Sequence, residues 1–149
     1  MKVSLVQMNT QNDKAENLKV AADLIEKAVK SDSPDLVVLP EYFAFLGDNP
    51  QEIHESGEEF PGGEIYTLLS GLAKKHAITL HAGSIVEKEG NRFYNSTLVF
   101  GPDGKQIARY RKIHLFDVDT PNGISYRESD SVARGEEVVT YKVGDKTVG

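Results

Sequence analysis

The sequence contains no cysteine, and this absence excludes several kinds of chemistry within its 149 residues. Disulfides, thiolate metal sites and cysteine nucleophiles are impossible here. The sequence also lacks any apolar run approaching the roughly 20 residues of a membrane span. Its first residues do not form the long apolar core of a signal peptide. We therefore expect a cytoplasmic protein with no membrane association.

Basic residues are too few for a general nucleic-acid or membrane-surface binder. The chain has 17 Lys and Arg residues against 23 Asp and Glu residues, a formal charge of −6, whereas such binders need a basic face. Its contents of 39% hydrophobic and 27% charged residues are typical of a globular protein. We expect residues 1–149 to form one domain with neither nucleic acid nor a membrane as a partner.

Common catalytic and metal-binding motifs are also missing. The four histidines show no His-Glu-x-x-His spacing, and there is no Gly-x-Ser-x-Gly elbow or Gly-Lys-Ser/Thr phosphate loop. An acidic window at residues 117–128 partly resembles an EF-hand loop, but Pro121 and Asn122 stand where a ligand and then a glycine are needed. We expect no metal and no cofactor.

The order of the apolar patterns predicts an α/β fold. Residues 2–9 and 35–39 predict strands, and apolar side chains recur at helical spacing over residues 18–29 between them. Asp13 and Glu16 precede this helix with the spacing of a capping box. Strand, helix, strand predicts a βαβ unit with parallel strands. Further elements are predicted as a helix at 65–73, strands at 78–87, 92–100 and 106–110, and a hairpin beginning at 138. Residues 42–63 are predicted as a long loop or short helical pieces, and residues 111–137 as a long irregular stretch.

A single carboxylate, Glu41, directly follows a strand that is predicted to be buried. The apolar residues 36–39 are typical of a strand covered on both faces, and Pro40 should end it because proline cannot donate to a ladder. Open α/β sheets commonly hold their reactive groups at this end of a strand. A carboxylate beside an apolar wall has a raised pKa, which suits a general base or acid. The alternative is that Glu41 begins a solvated loop.

Lys112 is the second candidate. It lies two residues past the predicted end of the strand 106–110, so we expect it at a sheet edge near Glu41. An ammonium beside a carboxylate is suited to stabilising a developing oxyanion. The alternative is a solvated basic patch made of Arg109, Arg111 and Lys112, because such side chains are commonly exposed.

Two segments taken together resemble the motifs of a known family. LPEYF at residues 39–43 and YRKIHL at residues 110–115 are similar to the Glu and Lys motifs of the nitrilase superfamily of carbon–nitrogen hydrolases. Shorter matches follow in the expected order: VQMN at 6–9, PGG at 61–63, YNS at 94–96, GPDG at 101–104, and RES at 127–129 with Gly135 beyond it. The resemblance implies an αββα sandwich, in which two mixed sheets are faced by helices, and a homo-oligomer, usually a dimer.

The resemblance also implies a Glu-Lys-Cys mechanism. Glu41 would deprotonate a thiol that attacks an amide or nitrile carbon, and it would then serve the leaving amine and the hydrolytic water. Lys112 would hold the oxyanion. Glu128 matches a second carboxylate that orients Lys112 and the substrate in many members. The substrate would be a small molecule carrying an amide.

The cysteine of this mechanism is not among these residues. In relatives it follows the hairpin that begins near residue 143, so we expect it a few residues past Gly149 and expect residues 1–149 to be inactive alone. FDVD at 116–119 and RES at 127–129 are most similar to the omega-amidase and deaminated-glutathione amidase branch. Alternatives are a nitrilase acting on a nitrile and a thiol-free binding relative without catalysis.

We also expect the isolated stretch of residues 1–149 to leave an apolar sheet face and a strand edge uncovered.

Overall fold

Six strands form the main sheet of the computed structural model, which describes all residues from Met1 to Gly149. They are β1 (Val3–Leu5), β2 (Leu36–Val38), β3 (Thr79–His81), β4 (Ile85–Glu89), β5 (Arg92–Phe100) and β6 (Gln106–Arg111). Strands β1, β2 and β3 lie side by side and are parallel. The long strand β5 pairs antiparallel with β3 and β4, and also with β6. Two separate hairpins are β7 (Asp117–Asp119) with β8 (Ser125–Arg127), and β9 (Tyr141–Val143) with β10 (Lys146–Val148).

Two of the three helices cover one face of this sheet, called here the helix face. The helices are α1 (Lys14–Asp32), α2 (Pro50–Glu55) and α3 (Gly63–His76). Helix α1 begins as predicted, because the Asp13 side chain accepts a 3.0 Å hydrogen bond from the Glu16 amide. The predicted βαβ unit with parallel strands is confirmed. None of the helices combines the length and hydrophobicity needed to cross a membrane.

The main core lies between the helix face and helices α1 and α3. Its buried side chains include Leu18, Ala21 and Ile25 of α1, Ile65, Leu69 and Ala73 of α3, and Val37, Leu80, Leu98 and Phe100 of the sheet. Because side chains alternate along a strand, the neighbours of these sheet residues point to the opposite face. The β9–β10 hairpin packs there, with Tyr141 and Val143 against Leu36 and Val99. We call this opposite side the hairpin face.

Strand β2 is therefore buried on both sides, as its apolar run predicted. Val37 and Leu39 belong to the core of the helix face, whereas Leu36 and Val38 belong to the cluster under the hairpin. The hairpin face is less completely covered than the helix face. On β1, the edge strand, Val3 is 41% exposed and Leu5 is 78% exposed.

The structure differs from the predicted elements in three places. The first strand, predicted at 2–9, spans only Val3–Leu5. The strand predicted at 78–87 is broken into β3 and β4 at residues 82–84, because Gly83 adopts φ +53° and lies against the carbonyl of Pro40. A Cβ at Gly83 would be 2.0 Å from that oxygen, so the break makes room for the chain that leaves β2. The stretch predicted as irregular at 111–137 contains the β7–β8 hairpin, whose exposed strands lack the apolar alternation that would have indicated it.

Candidate active site

Glu41 lies in a tight turn that is held against the break between β3 and β4. The Tyr42 amide donates a 3.1 Å hydrogen bond to the Ser84 hydroxyl, and the Ser84 amide donates to the Pro40 carbonyl at 3.3 Å. Tyr42 itself adopts φ +50°, a left-handed conformation that is uncommon for a residue with a side chain. These contacts fix the backbone on both sides of Glu41 at the carboxyl end of β2.

Lys112 is positioned by backbone contacts on two sides. Its amide donates to the Asn95 carbonyl of β5 at 2.8 Å, and its carbonyl accepts from the Gly135 amide at 2.8 Å. A Cβ at Gly135 would lie 2.2 Å from the Arg111 carbonyl oxygen. Only glycine therefore lets the returning chain approach closely enough to hold this end of β6.

The structure brings the three predicted site residues together. The Lys112 Nζ atom lies 2.9 Å from Glu41 Oε1 and 2.9 Å from Glu128 Oε2. Glu128 is the first residue of a 3₁₀ turn, Glu128–Asp130, that follows β8. One ammonium thus lies between two carboxylates that are 87 positions apart in sequence, counting from residue 41 to residue 128.

The basic residues near Lys112 do not form a single patch. Arg109 and Arg111 turn to the helix face, where both donate hydrogen bonds to the buried carboxylate of Glu87. Lys112 alone turns toward Glu41, because it follows Arg111 by one residue and the side chains alternate. The three cations therefore serve two different sites.

Glu128 is the more enclosed of the two carboxylates. Its Oε1 atom accepts hydrogen bonds from the Asn95 side chain at 3.0 Å and the Tyr42 hydroxyl at 3.1 Å, and its Oε2 atom accepts from the Phe116 amide at 2.6 Å. Burial by itself would raise the pKa of Glu128, but the bonds from Asn95, Phe116 and Lys112 outweigh it and hold the pKa below its usual value. Glu128 is therefore ionised near neutral pH.

Lys112 is correspondingly held in its charged form. Burial opposes the charge, but the hydrogen bonds and charges of Glu128 and Glu41 outweigh it, so the pKa of Lys112 is raised above its usual value. The pKa of Tyr42 is raised as well, first by burial and then by the adjacent charge of Glu128. The Tyr42 hydroxyl therefore stays protonated and acts as a donor to Glu128.

The enclosure expected for Glu41 is not present in these 149 residues. Its side chain is 57% exposed, against 26% for Lys112 and 11% for Glu128. It receives hydrogen bonds from Lys112 at 2.9 Å and from the Asn95 side chain at 2.8 Å. The cleft in front of it is nevertheless partly apolar. Its walls include Tyr42, Phe45, Leu46, Ile53, Phe116 and Tyr126.

One of the four histidines, His81, and the two aspartates of the acidic window do not line this cleft. His81 is partly buried and its Nδ1 atom lies 2.9 Å from the Tyr141 hydroxyl, so it is satisfied by a core contact. In the acidic window, Asp119 pairs with Arg127 at 2.7 Å and Asp117 accepts from the Ser129 amide at 3.0 Å. No group of three or more acidic or histidine side chains is arranged to hold a metal ion.

Two contacts of the site were missed from sequence, those of Asn95 and Tyr42. Asn95 lies at the centre of the YNS triplet, which was noticed only as a family match. Strand alternation predicts which face Asn95 occupies, but no sequence pattern links it to a carboxylate 54 residues earlier. Tyr42 is adjacent to Glu41, and its left-handed backbone, which turns its hydroxyl toward Glu128, has no signal in the sequence.

Comparisons with known proteins identify the family of the chain. A family model described as carbon-nitrogen hydrolase matches residues 2–149. The omega-amidase NIT3 of Saccharomyces cerevisiae is 42% identical over 158 aligned positions, which cover 100% of this chain and 54% of the yeast protein. The omega-amidase NIT2 of Homo sapiens is 36% identical over 143 positions, covering 94% of this chain and 50% of the human protein. The chain thus spans about half the length of these relatives.

Solved structures confirm the predicted fold class. Saccharomyces cerevisiae Nit3, a member of branch 10 of the nitrilase superfamily, superposes with a TM-score of 0.84 and 33% identity over 99% of this chain and 53% of its own. XC1258 of Xanthomonas campestris, a CN-hydrolase superfamily protein, superposes with a TM-score of 0.80 and 26% identity over 98% of this chain and 50% of its own. By its family match, its similarity to these relatives and its fold, the chain belongs to the carbon–nitrogen hydrolase family of the nitrilase superfamily.

Proposed function

We propose that the full-length gene product hydrolyses the terminal amide of a small carboxylate through an acyl-thioester, with the thiol supplied from beyond Gly149. The observation that carries this proposal is the position of the Lys112 ammonium, 2.9 Å from both Glu41 and Glu128. Two of the three groups required by a Glu-Lys-Cys mechanism are thus adjacent at the mouth of one cleft. The names of the relatives, omega-amidases of yeast and human, support this substrate class.

Glu41 acts as the base and acid of the proposed reaction. Its carboxylate takes the thiol proton, and the sulfur attacks the amide carbon, forming a C–S bond and an oxyanion. As the oxyanion collapses, the C–N bond breaks and Glu41 returns the proton to the leaving ammonia. Glu41 then takes a proton from water, which attacks the thioester; the C–S bond breaks, and Glu41 returns that proton to the sulfur, which releases the acid and restores the thiol. The exposure of Glu41 is consistent with a group that must meet these three partners in turn.

Lys112 stabilises the oxyanion, and Glu128 positions Lys112. A fixed ammonium is effective because it needs no reorganisation when the negative charge develops on the carbonyl oxygen. Glu128 is held by three hydrogen bonds besides its contact with Lys112. It is therefore suited to fixing the ammonium while Glu41 changes its protonation state during the cycle.

The gene beyond Gly149 gives the first test of the proposal. A cysteine codon within a few residues supports a thiol-dependent hydrolase. A stop codon there, with no cysteine elsewhere in the protein, overturns the thioester mechanism and favours a binding relative that lacks catalysis.

Site variants of the full-length gene product give the second test, with succinamate and glutaramate as probe amides and released ammonia as the readout. Glu41→Gln and Lys112→Ala should each lower kcat at least about 100-fold, the scale expected for a general base or an oxyanion donor. Glu59→Gln and Lys27→Ala are matched controls, because both side chains are exposed and lie outside the cleft. Turnover within a few-fold of wild type in either site variant contradicts the assigned roles.

The same test separates amide from nitrile hydrolysis. Each probe amide is compared with the nitrile that has the same acyl chain, and kcat/KM is measured for both. A higher kcat/KM for the nitrile overturns the choice of amide as the natural substrate class. We also propose a cytoplasmic location from the sequence and, as the family resemblance implies, a homodimer; light scattering on the purified protein tests the dimer.

A further inference from the structure

We propose that Asn95 is a positioning residue that holds the two carboxylates of the site apart and aimed at Lys112. Its two side-chain N–H groups are shared between Glu41 Oε1, at 2.8 Å, and Glu128 Oε1, at 3.0 Å. Its backbone carbonyl accepts the Lys112 amide at 2.8 Å. Asn95 is therefore in direct contact with all three site residues.

The unused atom of Asn95 indicates that its donors are what the site requires. The side chain is buried, with 2% exposure, and its Oδ1 atom receives no hydrogen bond. Burying an unpaired carbonyl oxygen costs free energy, and a leucine, which has the same branched skeleton, would avoid this cost. The fold gains nothing from the oxygen, whereas each N–H group is bonded to a carboxylate.

Charge balance explains why two carboxylates need these donors. Glu41 and Glu128 share one ammonium, so the three side chains together carry one uncompensated negative charge. Like charges in one site repel each other, and the exposed Glu41 is free to swing toward solvent. The Asn95 amide offers each carboxylate a donor without adding charge, so it fixes the direction of Glu41 and leaves Lys112 available to both.

The strand that carries Asn95 is braced from its other face. Its neighbour Ser96 donates a 2.6 Å hydrogen bond to Glu87, and the Arg111 guanidinium donates to the same carboxylate at 2.6 and 2.9 Å. This network joins β4, β5 and β6 directly behind Asn95 and Lys112. The Asn95 side chain therefore extends from a part of the sheet that these hydrogen bonds make rigid.

Two variants of the full-length gene product test this inference, which rests on the proposed function. Asn95→Leu keeps the branched shape of the side chain but removes both donors. Asn95→Asp keeps the shape but replaces the donors with a third carboxylate. We expect each to lower kcat about 100-fold, the cost of a misplacement near 1 Å, with KM for glutaramate changed no more than a few-fold. In Asn95→Leu the acid limb of the pH profile should move to higher pH, because the ionised Glu128 carboxylate loses the Asn95 hydrogen bond that lowers its pKa.

A matched control separates positioning from simple loss of stability. Asn17 is equally buried, at 3% exposure, and its side chain bonds the backbone of Gln11 and Ala44 without touching a carboxylate. Asn17→Leu should lower the melting temperature and leave the acid limb in place. Wild-type kcat in Asn95→Asp, or an unmoved acid limb in Asn95→Leu, overturns the inference even while Glu41→Gln remains inactive.

A crystal structure of Asn95→Leu decides the matter if no probe is turned over by the wild-type protein. In that case the proposed function has failed. The positioning claim still predicts that, in the variant, the distance from the Glu41 carboxylate to Lys112 Nζ is too long for a hydrogen bond. An unchanged Glu41–Lys112–Glu128 cluster in that structure overturns the inference.

Discussion

The two faces of strand β5 each carry a charged cluster, and the clusters differ in how completely they are satisfied. On the helix face the Glu87 carboxylate is 2% exposed and accepts four hydrogen bonds from Ser96, Arg109 and Arg111. On the hairpin face the Glu41 carboxylate is 57% exposed and accepts two. The first cluster has no capacity left for another partner, whereas the second can exchange partners at little cost.

This difference separates a structural cluster from one suited to a reaction. A buried carboxylate with every lone pair satisfied rigidifies its surroundings. A carboxylate that must take and return protons needs access to substrate and water. The sheet therefore uses one face to brace the strands and the other to present the reacting groups.

The two faces of the sheet should also differ in their tendency to self-associate, and this is the largest effect that we expect. Residues 1–149 expressed alone should form oligomers or aggregates, because β1 is an edge strand with Leu5 78% exposed and Val138 is 86% exposed. Leu5→Lys should shift the population toward monomer, whereas Ala15→Lys on the outer side of α1 should not. Size-exclusion chromatography with light scattering measures both. A monodisperse monomer that melts cooperatively contradicts this expectation.

Removing one carboxylate from each face should then affect stability unequally. Glu87→Gln removes the buried anion that Arg109 and Arg111 share, leaving Arg111 only its exposed partner Glu89, and should lower the free energy of unfolding by about 3 kcal/mol, as for a broken buried ion pair. Glu41→Gln loses only a partly exposed pair and should cost less than about 1 kcal/mol. Urea unfolding of the full-length gene product compares the two variants.

The pH dependence of stability provides the control for this comparison. Burial by itself would raise the pKa of Glu87, but hydrogen bonds from Arg111 and Ser96 and the charge of Arg109 outweigh it, so the folded pKa lies below the usual 4.5. The stabilisation by Glu87 is therefore present above pH 4.5 and is lost as the pH falls through the lower folded pKa. The difference in the free energy of unfolding between the wild-type protein and Glu87→Gln should therefore become smaller as the pH falls through that range. A difference that is constant from pH 7 to pH 3 shows that charge is not the cause.

The third prediction concerns the break between β3 and β4, against which the turn containing Glu41 packs. Gly83→Ala should destabilise the protein by about 2 kcal/mol, because the residue has φ +53° and its Cβ would meet the Pro40 carbonyl at 2.0 Å. Gly90→Ala is the matched control, since Gly90 has φ +58° with no atom within 4 Å of its Cβ position. Gly83→Ala should also reduce amide hydrolysis, because relief of the clash displaces the turn. Equal stability losses and unchanged activity in both variants would rule out a positioning role for Gly83.

The sequence by itself determined most of the elements and pointed to the candidate site residues. The apolar run 36–39 specifies a strand with two buried faces, and Pro40 ends it at Glu41 because proline has no amide hydrogen to donate. The order of the motifs indicated the family. These features depend on local spacing, which a linear pattern records directly.

Tertiary structure alone decided how those groups meet. Asn95 contacts Glu41 and Glu128 across 54 and 33 residues, and the chain breaks at Gly83 because the Pro40 carbonyl, beyond the end of β2, lies against it. The exposure of Glu41 likewise depends on what covers the hairpin face. Such contacts are set by sheet register and close packing between distant segments, so no pattern within one segment can specify them.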